Sequence, residues 1–147
     1  MPMRRHLLLA ALAGLPAASL AQAPPGVAGL WQTIDDRTGQ PRATVRVFEA
    51  QGRVYGNVER ALDPAYAGAI CERCTDDRKG KPVEGLQIIR GLVADGDEWS
   101  GGTILDPETG DTYRCSMRLA DGGRKLVVRG YLGVSLLGRS QTWLRAG

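Results

Sequence analysis

The sequence predicts an all-β protein folded as an eight-stranded antiparallel up-and-down β-barrel. After residue 23 no helical period is evident, and short runs of alternating apolar and polar residues are separated by Gly, Pro and Asp. The alternation is clearest over residues 112–120, where Tyr113, Cys115 and Met117 share one face. Eight hairpin-linked strands in a chain this short predict closure into a barrel, because pairing the first strand with the last leaves no exposed edge.

The first 23 residues have the composition of an export signal. Two arginines supply a positive start, residues 7–15 form an apolar stretch, and residues 21–23 (Ala-Gln-Ala) form a small-x-small cleavage motif. The apolar stretch is shorter than the roughly 20 residues that a membrane span needs. We therefore expect a signal peptide over 1–23, a single barrel domain over 24–147, no membrane span, and a periplasmic or secreted location.

Short turns separate most of the predicted strands. Tight hairpins are expected at 51–52 and 121–123, and type I turns that end on a left-handed glycine at 35–39 and 106–110. The connection over 62–84 is longer, which is typical of loops that carry function or hold a short helix. The predicted strands are residues 29–34, 43–50, 53–61, 85–92, 98–105, 112–120, 125–132 and 139–146.

Closure of the barrel brings together residues from the two ends of the domain. Because the first and last strands run antiparallel, Trp31 is expected to lie near Trp143 and Arg145. An arginine stacked on an indole contributes roughly 0.5–2 kcal/mol. We interpret these three residues as a structural seal at one end of the barrel, with a ligand contact by them as the alternative.

Composition and charge exclude several function classes. The formal charge of +3 falls to +1 without the signal, so there is no electrostatic case for binding nucleic acid. His6, inside the signal, is the only histidine. The mature protein therefore lacks an imidazole for a catalytic triad or a histidine-ligated metal. We expect no cofactor and no metal site, and an enzyme that uses carboxylates or thiols is the least favoured function.

The three cysteines leave their pairing open. A Cys71–Cys74 bridge closes a very small ring and contributes about 2 kcal/mol in the chain-entropy model. A bridge from either residue to Cys115 closes a loop of roughly 42–45 residues and contributes about 4 kcal/mol. The alternation that turns Cys115 toward the interior favours the Cys71–Cys74 bridge, and metal binding or free thiols remain as further alternatives.

Several segments, in one order along the whole mature chain, resemble the bacterial DUF2147 family. The segments are GLWQT (29–33), PVEGL (82–86), GGTILDP (101–107), RGYLG (129–133) and GRSQTW (138–143). The resemblance implies an exported protein with a lipocalin-like barrel and no assigned activity, and it supplies no catalytic residues. The Gly-x-Trp start with a late arginine also resembles the structural signature of lipocalins, in which these residues seal the closed end of the barrel.

The barrel interior is the best functional candidate in the sequence. A barrel of eight strands is just wide enough to be filled by side chains or to hold one small ligand. We predict that it binds a small apolar or amphipathic molecule, and a cavity of about 300 Å3 or more would favour this function. The alternative is an envelope protein-interaction module that acts through its surface and the 62–84 loop. The candidate ligand-binding residues are Tyr113, Met117, Arg129, Tyr131, Arg139 and Gln141.

Overall fold

The structure, a computed structural model, describes residues 10–15, 26–133 and 138–147. Within these residues each strand pairs antiparallel with its neighbours in sequence, and the last strand pairs with the first to close the barrel. The predicted all-β barrel is therefore confirmed. The strands are β1 (Gly29–Ile34), β2 (Pro41–Ala50), β3 (Arg53–Ala61), β4 (Gln87–Asp95), β5 (Glu98–Leu105), β6 (Thr112–Ala120), β7 (Lys125–Tyr131) and β8 (Gly138–Arg145).

The predicted signal peptide over 1–23 lies outside the described residues, except for 10–15. Those six residues are exposed and have no regular secondary structure. Within the described part of the chain, no helix is long and apolar enough to cross a membrane.

The long connection between β3 and β4 contains one short helix, α1 (Pro64–Ala67). Asp63 begins it by accepting a hydrogen bond from the Ala65 amide, and a proline occupies its first turn, where no amide donor is needed. β4 begins at Gln87 rather than at the predicted residue 85. The reason is that the amide of Gly85 and the carbonyl of Leu86 bond to Val58 before regular pairing starts.

Two hairpin turns at the same end of the barrel are built alike. In the β1–β2 turn Asp35 accepts from the Arg37 amide at 2.7 Å, and in the β5–β6 turn Asp106 accepts from the Glu108 amide at 2.9 Å. Each turn ends on a glycine with positive φ, as the sequence predicts.

At the opposite end, Trp31 and Arg145 seal the barrel. The two residues are paired in register across β1 and β8, and the Arg145 guanidinium lies 4.2 Å from the centroid of the Trp31 ring. The Trp31 side chain is fully buried, and its Nε1 donates to the Val27 carbonyl at 2.9 Å. The guanidinium also donates to three backbone carbonyls, those of Gly26, Ala28 and Gly123.

Gly29 is required where the chain enters this seal. Its φ is +144°, which side-chain-bearing residues rarely adopt. A Cβ at this position would also lie 2.8 Å from Nη1 of Arg145 and 2.9 Å from the Gly147 carbonyl oxygen. The glycine of the Gly-x-Trp motif thus lets the last strand and its arginine approach β1.

Cys71 and Cys74 form a disulfide, with their Cα atoms 5.5 Å apart. Cys115 is a free cysteine, fully buried inside the barrel. Burial raises the pKa of the Cys115 thiol to about 12, so this side chain stays protonated and unreactive near neutral pH. Of the disulfide pairings that the sequence left open, the structure thus has the one that closes the smallest loop.

We expect Arg145→Ala to lower the free energy of unfolding by roughly 2–4 kcal/mol, because one stacking interaction and several charge-assisted hydrogen bonds are lost together. Urea denaturation followed by circular dichroism measures the change. Arg118→Ala, on the outer face of β6, is the control and should change stability by less than about 0.5 kcal/mol. Equal effects of the two substitutions would contradict the role of Arg145 as a seal.

We expect an alkylating thiol reagent to modify no cysteine in the native protein and one cysteine, Cys115, after denaturation without reductant. The disulfide protects the other two cysteines and burial protects Cys115. Mass spectrometry of the alkylated peptides reads out the sites. Rapid labelling of Cys115 in the native state would contradict its burial.

Candidate functional site

The open half of the barrel encloses a cavity of about 690 Å3. Its volume lies within the range of small-molecule binding sites and exceeds the volume of about 300 Å3 above which a binding function is favoured. The closed half is filled by buried side chains, among them Leu92, Met117 and Leu126. Apolar side chains form part of the cavity wall, among them Val45, Val58, Ile88, Ile104, Val128 and Trp143.

One strand carries a ladder of polar groups from the cavity floor to its mouth. Arg139, Gln141 and Trp143 alternate along β8 and all line the cavity. Trp143 Nε1 donates to Gln141 Oε1 at 3.2 Å, and Gln141 Nε2 donates to Asp36 Oδ2 at 3.2 Å. Arg139 donates to the same Asp36 oxygen. The ladder thus gives the wall of the cavity polar groups that can orient a bound molecule.

Arg42 forms an ion pair across the mouth of the barrel. It belongs to β2, and its Nη2 lies 2.9 Å from Oε1 of Glu108 in the β5–β6 turn. Its guanidinium also lies 4.4 Å from the centroid of the Tyr66 ring in α1, within cation–π distance. Asp35, at 3.7 Å from Nε, is a second carboxylate partner. All four of these residues line the cavity.

A β-bulge explains why Arg42 reaches this position. In the β1–β2 pairing Thr33 is opposite Ala43 and Ile34 is opposite Pro41, so Arg42 is the extra residue of the bulge. Bulges re-aim side chains out of the regular alternation. The carbonyl of Arg42 also accepts the amides of Leu62 and Asp63, which ties the start of the long loop to the same point.

The carboxylates at the mouth are held in two different ways. Asp35 is nearly buried, and its hydrogen bond from the Arg37 amide, together with the nearby Arg42 guanidinium, lowers the pKa of its carboxyl. Asp106 is likewise used by the backbone of its turn. Asp36 and Glu108 instead pair with arginine side chains and are 42 and 47 % exposed. The second pair of carboxylates can therefore be released to solvent more easily than the first.

Four of the six candidate ligand-binding residues line the cavity. Arg139 and Gln141 do so from β8, Tyr131 from the end of β7, and Tyr113 from β6. Burial, reinforced by the carboxylates of Asp111 and Asp106, raises the pKa of Tyr113, so its hydroxyl is neutral at physiological pH.

The other two candidate ligand-binding residues, Met117 and Arg129, do not line the cavity. Met117 points inward, as the alternation of β6 requires, but it lies in the packed closed half and does not line the cavity. Arg129 alternates with the buried Val128 and donates to the Ser140 hydroxyl on the outer face. The sequence pattern gave the direction of Met117 but not its depth, and it left the face of Arg129 ambiguous.

Trp143 differs from the other two residues predicted to close the barrel. Trp31 and Arg145 form the seal, whereas Trp143 lines the cavity and is bonded to Gln141. No sequence pattern marked Arg42, Tyr66 and Glu108 as residues of this site. Long-loop membership was the only signal for Tyr66, and the other two depend on a bulge and a turn.

The predicted long loop forms one wall of the cavity. Tyr66 and Val83 line the cavity, and the disulfide loop packs against the β5–β6 turn so closely that a Cβ at Gly110 would collide with the Arg73 carbonyl. A smaller cavity of about 210 Å3 lies beyond this wall and shares Tyr66, Val83, Pro107 and Glu108 with the large one.

A buried arginine attaches the loop to the barrel wall. Arg78 is 3 % exposed and donates to the Gln87 carbonyl at 2.9 Å, while its Nη2 contacts Asp76 at 2.6 Å. The hydrogen bonds from the Arg78 side chain lower the pKa of Asp76 to about 2. The ion pair is thus fully formed at neutral pH.

The described residues offer little to thiol or metal chemistry. Two of the three cysteines form the disulfide, and the thiol of the third is buried and protonated. No group of three or more His, Cys, Asp or Glu side chains in residues 10–15, 26–133 and 138–147 could hold a metal ion. At the mouth the Asp35 pKa is lowered, which is the opposite of what a general acid needs.

Comparisons with known proteins agree with this geometry. A protein-family model described as "Uncharacterized protein conserved in bacteria (DUF2147)" matches residues 29–145. Protein HP1028 from Helicobacter pylori, described as belonging to the lipocalin family, has a similar solved structure with a TM-score of 0.72 and 18% identity. The alignment covers 83% of this chain and 84% of that one. No curated protein matches the sequence. The fold is lipocalin-like.

We expect Asp76→Asn to lower the free energy of unfolding by about 2 kcal/mol at pH 7, because the buried Arg78 loses its counterion. The carboxylate stabilises the fold above its unfolded pKa of 3.8, and this contribution is lost as the pH falls through about 2. Urea denaturation at pH 7 and in steps from pH 4 to 2 should therefore show the stabilities of the two proteins converging. Asp77→Asn removes the neighbouring, more exposed carboxylate and should cost less; a larger loss there would contradict the anchoring role of Arg78 and Asp76.

Proposed function

Because the chain belongs to the DUF2147 family of bacterial proteins, whose activity is uncharacterised, we propose a function from its own geometry: it binds one small, partly apolar molecule inside the barrel. The observation that supports this proposal is the cavity of about 690 Å3 in the open half. Ligand pockets of this size, with apolar walls and a few placed polar groups, are the usual form of small-molecule sites. A lipocalin-like barrel of this kind fits a binding protein rather than an enzyme.

The distribution of side chains favours an amphipathic ligand that enters tail first. Val45, Ile104 and Val128 supply apolar contacts within the cavity, while the charged residues lie around its mouth, in the hairpin turns and at the adjacent strand ends. Burying an apolar tail contributes roughly 25 cal/mol for each Å2 removed from water. A charged group carried to the same depth would have to lose its hydration, so it stays at the mouth.

We further propose that the protein acts in the periplasm or outside the cell. The arginines, apolar stretch and Ala-Gln-Ala motif of residues 1–23 support export, and a disulfide is stable in an oxidising compartment. Cleavage after Ala23 would leave the barrel domain of residues 24–147.

Native mass spectrometry of the protein purified from the envelope of its own cells tests both proposals. We expect a protein mass that begins at Pro24, accompanied by a species with one bound small molecule that is lost on denaturation. Purification as a stable complex with another protein, with no small molecule bound, would favour the alternative function through the surface and the 62–84 loop. A full-length mass would contradict export with cleavage.

We expect Val128→Phe to weaken binding of the uncharged apolar probe N-phenyl-1-naphthylamine about tenfold, because the larger side chain occupies the cavity. Probe fluorescence on titration measures the dissociation constant. Val127→Phe is the matched control, since Val127 lies on the same strand but pairs with Arg118 and Thr142 on the outer face. Unchanged binding by a folded Val128→Phe protein would contradict an internal site.

A further inference from the structure

We infer that Arg42 receives a carboxylate head group of the ligand, and that Glu108 occupies this place when no ligand is bound. The inference rests on the proposed function, because it names the class of amphipathic molecule that the cavity takes. It is carried by the ion pair that spans the mouth between β2 and the β5–β6 turn.

Arg42 is held in place independently of Glu108. Its side chain is 22 % exposed, stacks against Tyr66, and has Asp35 as a second partner. Its backbone is fixed by the bulge opposite Thr33 and by the two amides at the start of the long loop. The guanidinium therefore keeps its position when Glu108 leaves, and it presents a planar set of donors that suits a carboxylate.

Glu108 is the member of the pair that can leave at low cost. Its side chain is 47 % exposed, and its turn is built by Asp106 rather than by its own carboxylate. A ligand carboxylate that replaces it restores the ion pair of Arg42 and returns Glu108 to water. The exchange therefore leaves no buried charge unpaired. An unpaired charge would be costly in a partly desolvated site.

A cationic head group would meet the opposite situation. Asp35 and Asp106 are occupied by backbone amides, and Asp36 and Glu108 are occupied by arginines. A cation that takes Glu108 would separate Arg42 from its nearest counterion and add a second positive charge beside it. The mouth thus discriminates in favour of a carboxylate and against a quaternary ammonium group.

Three amphiphiles with the same twelve-carbon chain test this inference: dodecanoate, dodecan-1-ol and dodecyltrimethylammonium. The two ionic compounds are titrated below their micelle concentrations, and the alcohol below its solubility limit, against the wild-type protein loaded with N-phenyl-1-naphthylamine. Displacement of the probe gives the affinity. We expect dodecanoate to bind about tenfold more tightly than the alcohol, and the ammonium compound to bind most weakly.

Two substitutions separate an exchangeable partner from a structural one. We expect Arg42→Gln to weaken dodecanoate about tenfold and to change dodecan-1-ol less than about twofold. Glu108→Gln should strengthen dodecanoate about threefold, because the competing carboxylate is gone. A merely structural ion pair would instead weaken all ligands in both variants. If Arg42→Gln does not fold, the rise in affinity of Glu108→Gln alone decides.

The Arg46–Glu59 pair is the matched control. Its arginine also belongs to β2, and its partner is also a glutamate, as in the Arg42–Glu108 pair. It lies on the outer face of the barrel, with side chains 48 and 47 % exposed. Arg46→Gln and Glu59→Gln should leave the affinity for dodecanoate unchanged.

Equal binding of dodecanoate and dodecan-1-ol, a weaker dodecanoate complex in Glu108→Gln, or an equal loss in Arg46→Gln would overturn the head-group inference alone. Failure of the probe and of all three amphiphiles to bind would overturn the proposed internal site, and the inference with it.

Discussion

The whole architecture depends on the contact between the first and last strands at the sealed end. β1 and β8 pair over few residues. The Arg145 guanidinium completes the junction by stacking on Trp31 and donating hydrogen bonds to three backbone carbonyls. Without this junction two strand edges would face water with unpaired amides and carbonyls. With it, the inward side of every strand faces a common interior, and the packing of the sealed half leaves the free volume at the other end.

The two ends of the barrel therefore follow different rules. At the sealed end the regular alternation of strands places large apolar side chains against each other. At the open end the charged residues that line the cavity come from the two hairpin turns, from the bulge at Arg42 and from the start of β8, and the long loop adds Tyr66 and Val83. Each arginine at this rim, such as Arg42 or Arg139, already has a carboxylate partner, so selectivity there arises from which partner is the easier to replace.

Regular periodicity explains which parts of this structure could be read from the sequence. The period of two and the glycine-marked turns predicted all eight strands, with shifts of a few residues at β2, β4, β7 and β8. The same rule placed Tyr113 on the inner face, but it left the strand faces of Tyr131, Arg139 and Gln141 open. It could not tell that Met117 lies too deep to reach the cavity, because depth depends on the tilt and register of strands that are distant in sequence. Periodicity did not identify the residues at the cavity mouth for a related reason. Arg42 breaks the alternation of its strand, and Glu108 and Tyr66 contact Arg42 only because the fold brings distant segments together.

The seal also has a consequence for the order in which the fold can form. Arg145 bonds to the carbonyls of Gly26 and Ala28, which are 119 and 117 residues earlier in the chain. Each of the other strand pairs joins neighbours in sequence and can form while later strands are still disordered. The pairing of β1 with β8 closes the longest loop of any strand pair here, so it has the largest entropic cost. It therefore forms only once the eighth strand is available. If such a chain crosses a membrane unfolded, its first and last strands can pair only after translocation is complete. Until then both edge strands would be open to pairing with other chains.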